Sequence, residues 1–292
     1  MTNVLAQPVT ALLGRARRRW IVLAVAALLA LAAIYVAAVL TPLGQQLENA
    51  ALRGADQQAA ETFREASERL GLITVWSLAA ATLAVGAIGL LRRKPLLAAV
   101  AVGVIVVGQI VTQTLKRFVL PRPELVEVVG DYTGNSFPSG HTTIAMTVLV
   151  AVILVVPFRF RGLALLVVMT WATSIGAYTI AAKWHRLSDT LGADMVALGL
   201  GCVAALVLVR TGRVVIVDEK RRLRVVYVVL IGGLGLLTLG LGLVLGWSAF
   251  AFDITDPTIE WNAYLAAAAL ASAGSIGTAL VYWWSWRRLE AA

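Results

Sequence analysis

Lys116-Arg117-Phe118-Val119-Leu120-Pro121-Arg122-Pro123, Phe137-Pro138-Ser139-Gly140-His141 and Lys183-Trp184-His185-Arg186-Leu187-Ser188-Asp189 are three polar clusters set among apolar runs. Residues 95–115 lead into the first cluster and 141–157 leave the second. The third lies between the runs 162–182 and 189–209. Apolar runs of roughly 20 residues span a bilayer as helices, because a backbone in lipid must satisfy its own hydrogen bonds. The clusters therefore read as the ends of membrane helices. Both histidines of the chain, His141 and His185, lie in them.

Outward from this stretch the pattern continues. A first span is expected over about 20–40, after Arg15, Arg17, Arg18 and Arg19, and it is too long for the core of a cleaved signal peptide. Further spans are expected over about 72–91, 225–247 and 261–284. Residues 41–71 interleave Leu43, Leu47, Ala50 and Leu70 with charges, which predicts helix lying near the membrane surface. It reads as an interfacial connector, with a lid or substrate guide as the other reading. In the seventh span, Gly242 and Gly246 would let another helix approach closely. The expected fold is all-α: a polytopic membrane bundle of six core helices and two more at the C-terminal end. Residues 1–210 would form the core and 211–292 a basic linker with the extra pair.

Composition agrees. The chain of 292 residues is 60% hydrophobic and 14% charged, with mean hydropathy +0.84. No polar segment is long enough to bury a core of its own, which excludes a separate soluble domain. The net charge of +9 does not point to nucleic acid, because it comes in short clusters beside apolar runs. Segments 15–19, 92–94, 159–161, 210–224 and 287–288 hold 17 of the 25 Lys and Arg residues. Eight spans with a cytoplasmic N-terminus put all five inside, as the positive-inside rule requires. Both termini are then cytoplasmic and all three clusters face the opposite side. Trp20, Trp184, Trp247, Trp261, Trp283 and Trp284 fall near the expected interfaces. The single cysteine, Cys202, sits in an apolar run and reads as a packing residue.

A phosphate ester needs cations and N–H donors around its oxygens, an in-line nucleophile and a proton for the leaving oxygen. Lys116 and Arg122 offer the cations, though alone they also read as a basic loop reaching for headgroups. Ser139 is a good helix cap, and a helix start presents free N–H groups to an anion. Gly140 permits close approach there, and His141 stands beside it as a general acid. His185 and Asp189 are four apart and share a helical face. The carboxylate can then hold one ring nitrogen while the other attacks.

These residues resemble the type 2 phosphatidic acid phosphatases (PAP2), relatives of the vanadium haloperoxidases. The family pattern is Lys-x6-Arg-Pro, then Pro-Ser-Gly-His, then Ser-Arg-x5-His-x3-Asp. Pro-Ser-Gly-His is matched at 138–141 and His-x3-Asp at 185–189, and the resemblance covers about 95–210. It implies His185 as nucleophile through a phosphohistidine, Asp189 orienting it, and His141 protonating the leaving group. It also implies Lys116, Arg122, Ser139 and Gly140 as phosphate binders, with no metal and no cofactor. Two positions depart from the pattern. Five residues, not six, separate Lys116 from Arg122, and Tyr178-Thr179 stand where the family has Ser-Arg. On a continuing helix Lys183 would share a face with Thr179 and supply the missing cation, with Arg186 as the other candidate.

The expected function is hydrolysis of a polyprenyl (pyro)phosphate, such as undecaprenyl pyrophosphate, or of a phosphatidate-type lipid. The site would be on the extracytoplasmic face of a plasma (inner) membrane. A phosphotransferase and a lipid-binding or lipid-transporting relative without catalysis are the alternatives. The partners are the lipid substrate and the bilayer. Richness in alanine and arginine suits a GC-rich bacterial genome.

Overall fold

The computed structural model describes residues 3–128, 134–217 and 222–292. Lys220 and Arg221 of the basic linker lie outside them. The described chain is ten α-helices and one pair of short strands. α1 spans Asn3–Ile34 and runs into a π-helical turn at Tyr35–Val39. α2 (Pro42–Ala55) and α3 (Ala60–Gly71) form the helical stretch expected over 41–71. α4 is Val75–Leu91, and α5 is Pro95–Thr114 with a π turn at Leu115–Val119. α6 (Gly140–Val155), α7 (Arg161–Ala181) and α8 (Leu187–Arg210) carry the second and third clusters. α9 (Arg222–Ala251) and α10 (Pro257–Ser285) complete the bundle.

Among the described residues, six helices are long and apolar enough to cross a membrane. α3 and α4, bent by 56°, count as a seventh span if taken together. Thr74 sets that bend. Its hydroxyl accepts from the Ser77 N–H at 3.2 Å and Ser77 Oγ accepts from the Thr74 N–H at 2.9 Å, so a capping box starts α4 afresh. α6 is the short one, at 16 residues. It is buried almost all round, so protein, not lipid, surrounds it. It packs between α5, α7 and α8.

Among the described residues, the basic segments gather at one end of the bundle. Arg92 donates to the Val155 carbonyl at 2.6 Å and pairs with Glu290. Arg161 donates to the Leu289 carbonyl at 2.8 Å, and Arg19 to that of Ser285. β1 (Val214–Ile216) and β2 (Leu289–Ala291) pair antiparallel there, Val214 opposite Ala291. These strands were not expected. Each has three residues, too short for a periodic signal to show. Trp20 differs from its expected interfacial place: it is fully buried, stacks 4.8 Å from Trp286 and donates to Ser285 Oγ at 3.0 Å.

α10 is central, and α9 packs on it with most of its own surface exposed. α10 lies against α2, α7, α8 and α9. A Cβ on Gly242 of α9 would stand 2.6 Å from the Leu270 side chain, and one on Gly246 would touch Ala266 at 3.6 Å. The two glycines thus permit the close crossing that their spacing predicts.

Candidate active site

At the other end, three loops converge on the start of α8. The Ser139 N–H donates to the backbone carbonyl of Asp189 at 2.9 Å, which ties the Pro-Ser-Gly-His segment directly to the His-x3-Asp segment. Gly192, one turn further on, faces the Phe137 ring. A Cβ there would come within 2.7 Å of it, so a larger residue would push the second cluster off α8. Asn135 donates to the carbonyls of Lys116 at 2.8 Å and Leu120 at 2.7 Å, and so joins the first cluster to the second.

The His185 and Asp189 side chains meet as their spacing predicts. Nδ1 of His185 lies 3.1 Å from Oδ2 of Asp189, and both residues are buried. The same oxygen accepts from the Arg186 N–H at 2.9 Å, so the carboxylate also caps α8. With Nδ1–H donating to the carboxylate, Nε2 keeps its lone pair. The His141 ring centroid is 6.2 Å from that of His185, and Trp184 flanks His141 at 5.3 Å. His141 opens α6, whose first turn is capped by Ser139: Oγ accepts from the Thr142 N–H at 3.2 Å. Lys116 lies in the π turn that ends α5, within electrostatic reach of Asp189 and His141. Such turns are common at functional sites.

Arg122 is held by a group that the cluster reading did not single out. Its Nη2 donates to Oε2 of Glu48 at 3.1 Å, with both side chains nearly fully buried. Oε1 of Glu48 accepts from the Ser188 N–H at 3.1 Å, so α2 is fastened to the start of α8 as well. Burial, and then the nearby Asp189 charge, push the Glu48 carboxyl above the usual carboxylate range, against the pull of Arg122, the Ser188 side chain and Arg186. Gln45, one turn earlier, donates to the Pro123 carbonyl at 2.7 Å and accepts from the Leu125 N–H at 3.2 Å. In the sequence, Glu48 is one charge among many in 41–71. The signal that marks it is its place on the small, apolar face of α2 beside Ala51, Leu52 and Ala55. Removing one partner of a buried pair leaves the other charge uncompensated, at a cost of roughly 3 kcal/mol. Glu48→Ala is therefore expected to lose about that much stability in unfolding measurements, and Glu48→Gln less, since its amide oxygen still accepts from Ser188. Losses under about 0.5 kcal/mol for both variants, the scale of ordinary surface changes, would contradict this.

Lys183 and Arg186 exchange the places expected for them. α7 ends at Ala181, and Lys183 takes a left-handed conformation, φ 59°, so the helix does not continue to it. The Trp184 and His185 N–H groups both donate to the Thr179 carbonyl, and the chain turns back. The Lys183 ammonium pairs with Asp56 and lies 5.6 Å from the Phe63 ring. Arg186 instead is buried in the site, with Nη1 donating to Ser136 Oγ at 3.1 Å. Burial and then the neighbouring Arg122 push its guanidinium below its ordinary value, while Asp189 and Glu48 pull it back. Thr179 is buried, its hydroxyl donating to the Gly176 carbonyl at 2.7 Å.

The centre thus joins a carboxylate-held imidazole, a second imidazole and three cations, Lys116, Arg122 and Arg186. Such a set suits an anion of two or more charges. Among the described residues, no three His, Cys, Asp or Glu side chains gather as a metal site.

Residues 95–213 match the PAP2 superfamily. The PAP2 stretch contains all three clusters and α5 to α8. The fold also resembles a solved structure, the first transmembrane PAP2-type phosphatidylglycerolphosphate phosphatase from Bacillus subtilis, with a TM-score of 0.52 and 20% identity. The alignment covers 62% of this chain and 94% of that one. Over the aligned part, the fold is therefore the PAP2 membrane fold. No curated protein matches the chain. Glu48, α9 and α10 lie outside the matched PAP2 residues.

Proposed function

We propose that the chain hydrolyses a lipid phosphate, a polyprenyl phosphate or diphosphate or a phosphatidate-type lipid, through a phosphohistidine. The observation that carries the reading is the His185–Asp189 pair set beside two buried guanidiniums, Arg122 and Arg186, whose like charges a phosphate would relieve. Nε2 of His185 attacks the terminal phosphorus, and its bond to the leaving oxygen breaks, the lipid oxygen of a monoester or the bridging oxygen of a diphosphate. His141 gives that oxygen its proton. Asp189 stabilises the imidazolium that the attack creates. Water then attacks the phosphohistidine, losing a proton to His141, and the P–N bond breaks to release phosphate and restore both histidines. Lys116, Arg122, Arg186 and the N–H groups that open α6 neutralise the equatorial oxygens. An acceptor alcohol in place of water would make the same site a phosphotransferase. Product analysis with and without added alcohols separates the two.

This mechanism draws its charge stabilisation from side chains. Turnover is therefore expected to persist in a strong chelator and to be inhibited by vanadate, which adopts five-coordinate geometry. Loss on chelation with rescue by a divalent ion would overturn the scheme.

The site is proposed to be extracytoplasmic, because the Arg- and Lys-rich loops lie at the other end of the bundle. Gly134 is exposed beside the site, and Thr211 is exposed at the basic end. Cys202 is buried and gives little background. An impermeant thiol reagent is expected to label Gly134→Cys, but not Thr211→Cys, on intact cells. The reverse pattern would place the site in the cytoplasm.

A further inference from the structure

A cavity of about 380 Å³ opens from the candidate site between α1, α2, α8, α9 and α10, and its lining changes along its length. Glu48, His185, Arg186 and Ser188 line one end. The remainder is apolar: Ala38 from the turn after α1, Leu47 from α2, Gly246 and Phe250 from α9, Ala266 and Leu270 from α10. Many of these side chains are small, which is why there is room. We propose that this groove holds the hydrocarbon chain of the substrate, and that α9 and α10, outside the PAP2 stretch, are there to build its far wall.

Three observations select a lipid chain over a protein segment. The groove reaches His185 and Arg186, so an occupant with its phosphate at His185 would lay an apolar tail along the rest. Phe250, at the site end of α9, is 60% exposed beside further exposed apolar residues of the same helix, so the surroundings are those of a membrane face. At about 380 Å³ the groove has room for part of one hydrocarbon chain. Backbone amides of a peptide would meet no partners on such walls. The chain enters from the bilayer between α9 and α2, and its phosphate stops at His185. This rests on the phosphatase reading, since it takes the His185 end as the place of the scissile bond.

The test uses the full chain in lipid nanodiscs and a single-chain isoprenyl phosphate carrying a diazirine at mid-chain. Labelling is expected in 246–250 and 263–270, competed by the unlabelled phosphate and much less by the alcohol of the same chain. Gly246→Leu places a side chain in the groove, where a Cβ alone is tolerated against Ala266 at 3.6 Å. It is expected to raise KM for the long-chain phosphate about tenfold relative to its effect on a short, water-soluble phosphate ester. Gly240→Leu, on the same helix where a Cβ meets open space, is expected to leave that ratio unchanged. Label spread over the lipid-facing residues of α9 without competition would overturn the proposal, as would equal effects of Gly246→Leu on both substrates. Competed groove labelling with no turnover of either substrate would sink the phosphatase reading and keep the groove. Turnover without groove labelling would sink the groove alone.

Discussion

His185→Ala is expected to lower turnover of a lipid phosphate by roughly 10⁴-fold or more, the scale on which loss of a covalent nucleophile leaves only binding and electrostatics. The expectation follows from geometry. The imidazole is buried, its Nδ1 is 3.1 Å from a carboxylate that also caps α8, and only Nε2 is left to react. Asp189→Asn is expected to act nearly as strongly, because an amide donating to Nδ1 would select the wrong tautomer. His141→Ala removes the proton donor and not the nucleophile, so a smaller loss of about 10²–10⁴-fold is expected. It should be smallest on substrates whose leaving oxygen needs no proton. Rapid acid-free quenching of the wild type should trap phosphate on His185, and of His141→Ala, given an activated ester, should trap more. Near-normal turnover by His185→Ala, or phosphate trapped on another residue, would overturn the assignment.

The parts of this architecture that could be read from the sequence are those fixed by short-range rules. A span is a run of apolar residues, and His185–Asp189 is a spacing of one helical turn. The apolar helices and the gathering of basic loops at one end follow from these. Glu48 shows where such rules stop. Its importance comes from a contact with Arg122, 74 residues away, and from the Ser188 N–H, 140 residues away. No local pattern encodes either. Lys183 shows a different limit. Its assignment to the site required α7 to continue past Ala181, and the end of a helix is decided by its cap. The chain after Thr179 instead takes a left-handed residue and folds two N–H groups back onto one carbonyl. That turn carries the ammonium to Asp56 and swings Arg186 inward. A non-glycine residue with positive φ is uncommon, and nothing in Ala181-Ala182-Lys183-Trp184 announces it.

The same turn yields the second large expectation. Arg186→Ala should reduce kcat/KM by about a hundredfold or more, because one preorganised contact to transition-state charge is worth roughly 3 kcal/mol. Lys183→Ala should stay within about threefold, since its ammonium is on Asp56, at the partly exposed outer face of the bundle, where an ion pair contributes about 1 kcal/mol or less. The contrast answers the absence of arginine at Thr179. That position is fully buried, with its hydroxyl on the Gly176 carbonyl and near Thr190, so there is no room for a guanidinium to reach the phosphate from it. Arg186 would approach a bound phosphate from the start of α8 instead, beside Arg122. Two guanidiniums so placed repel each other and are held by Glu48, Asp189 and Ser136; a phosphate dianion would complete their neutralisation. Arg186→Lys should recover only part of the activity, because an ammonium keeps the charge and loses the planar fork. Thr179→Arg should overpack α7 against α8 and lower stability by about 1–3 kcal/mol without restoring Arg186→Ala. A large loss from Lys183→Ala together with a small one from Arg186→Ala would reverse the assignment and return the third cation to Lys183. If neither matters, Lys116 and Arg122 suffice, and the buried charge of Arg186 serves only to fasten Ser136 to α8.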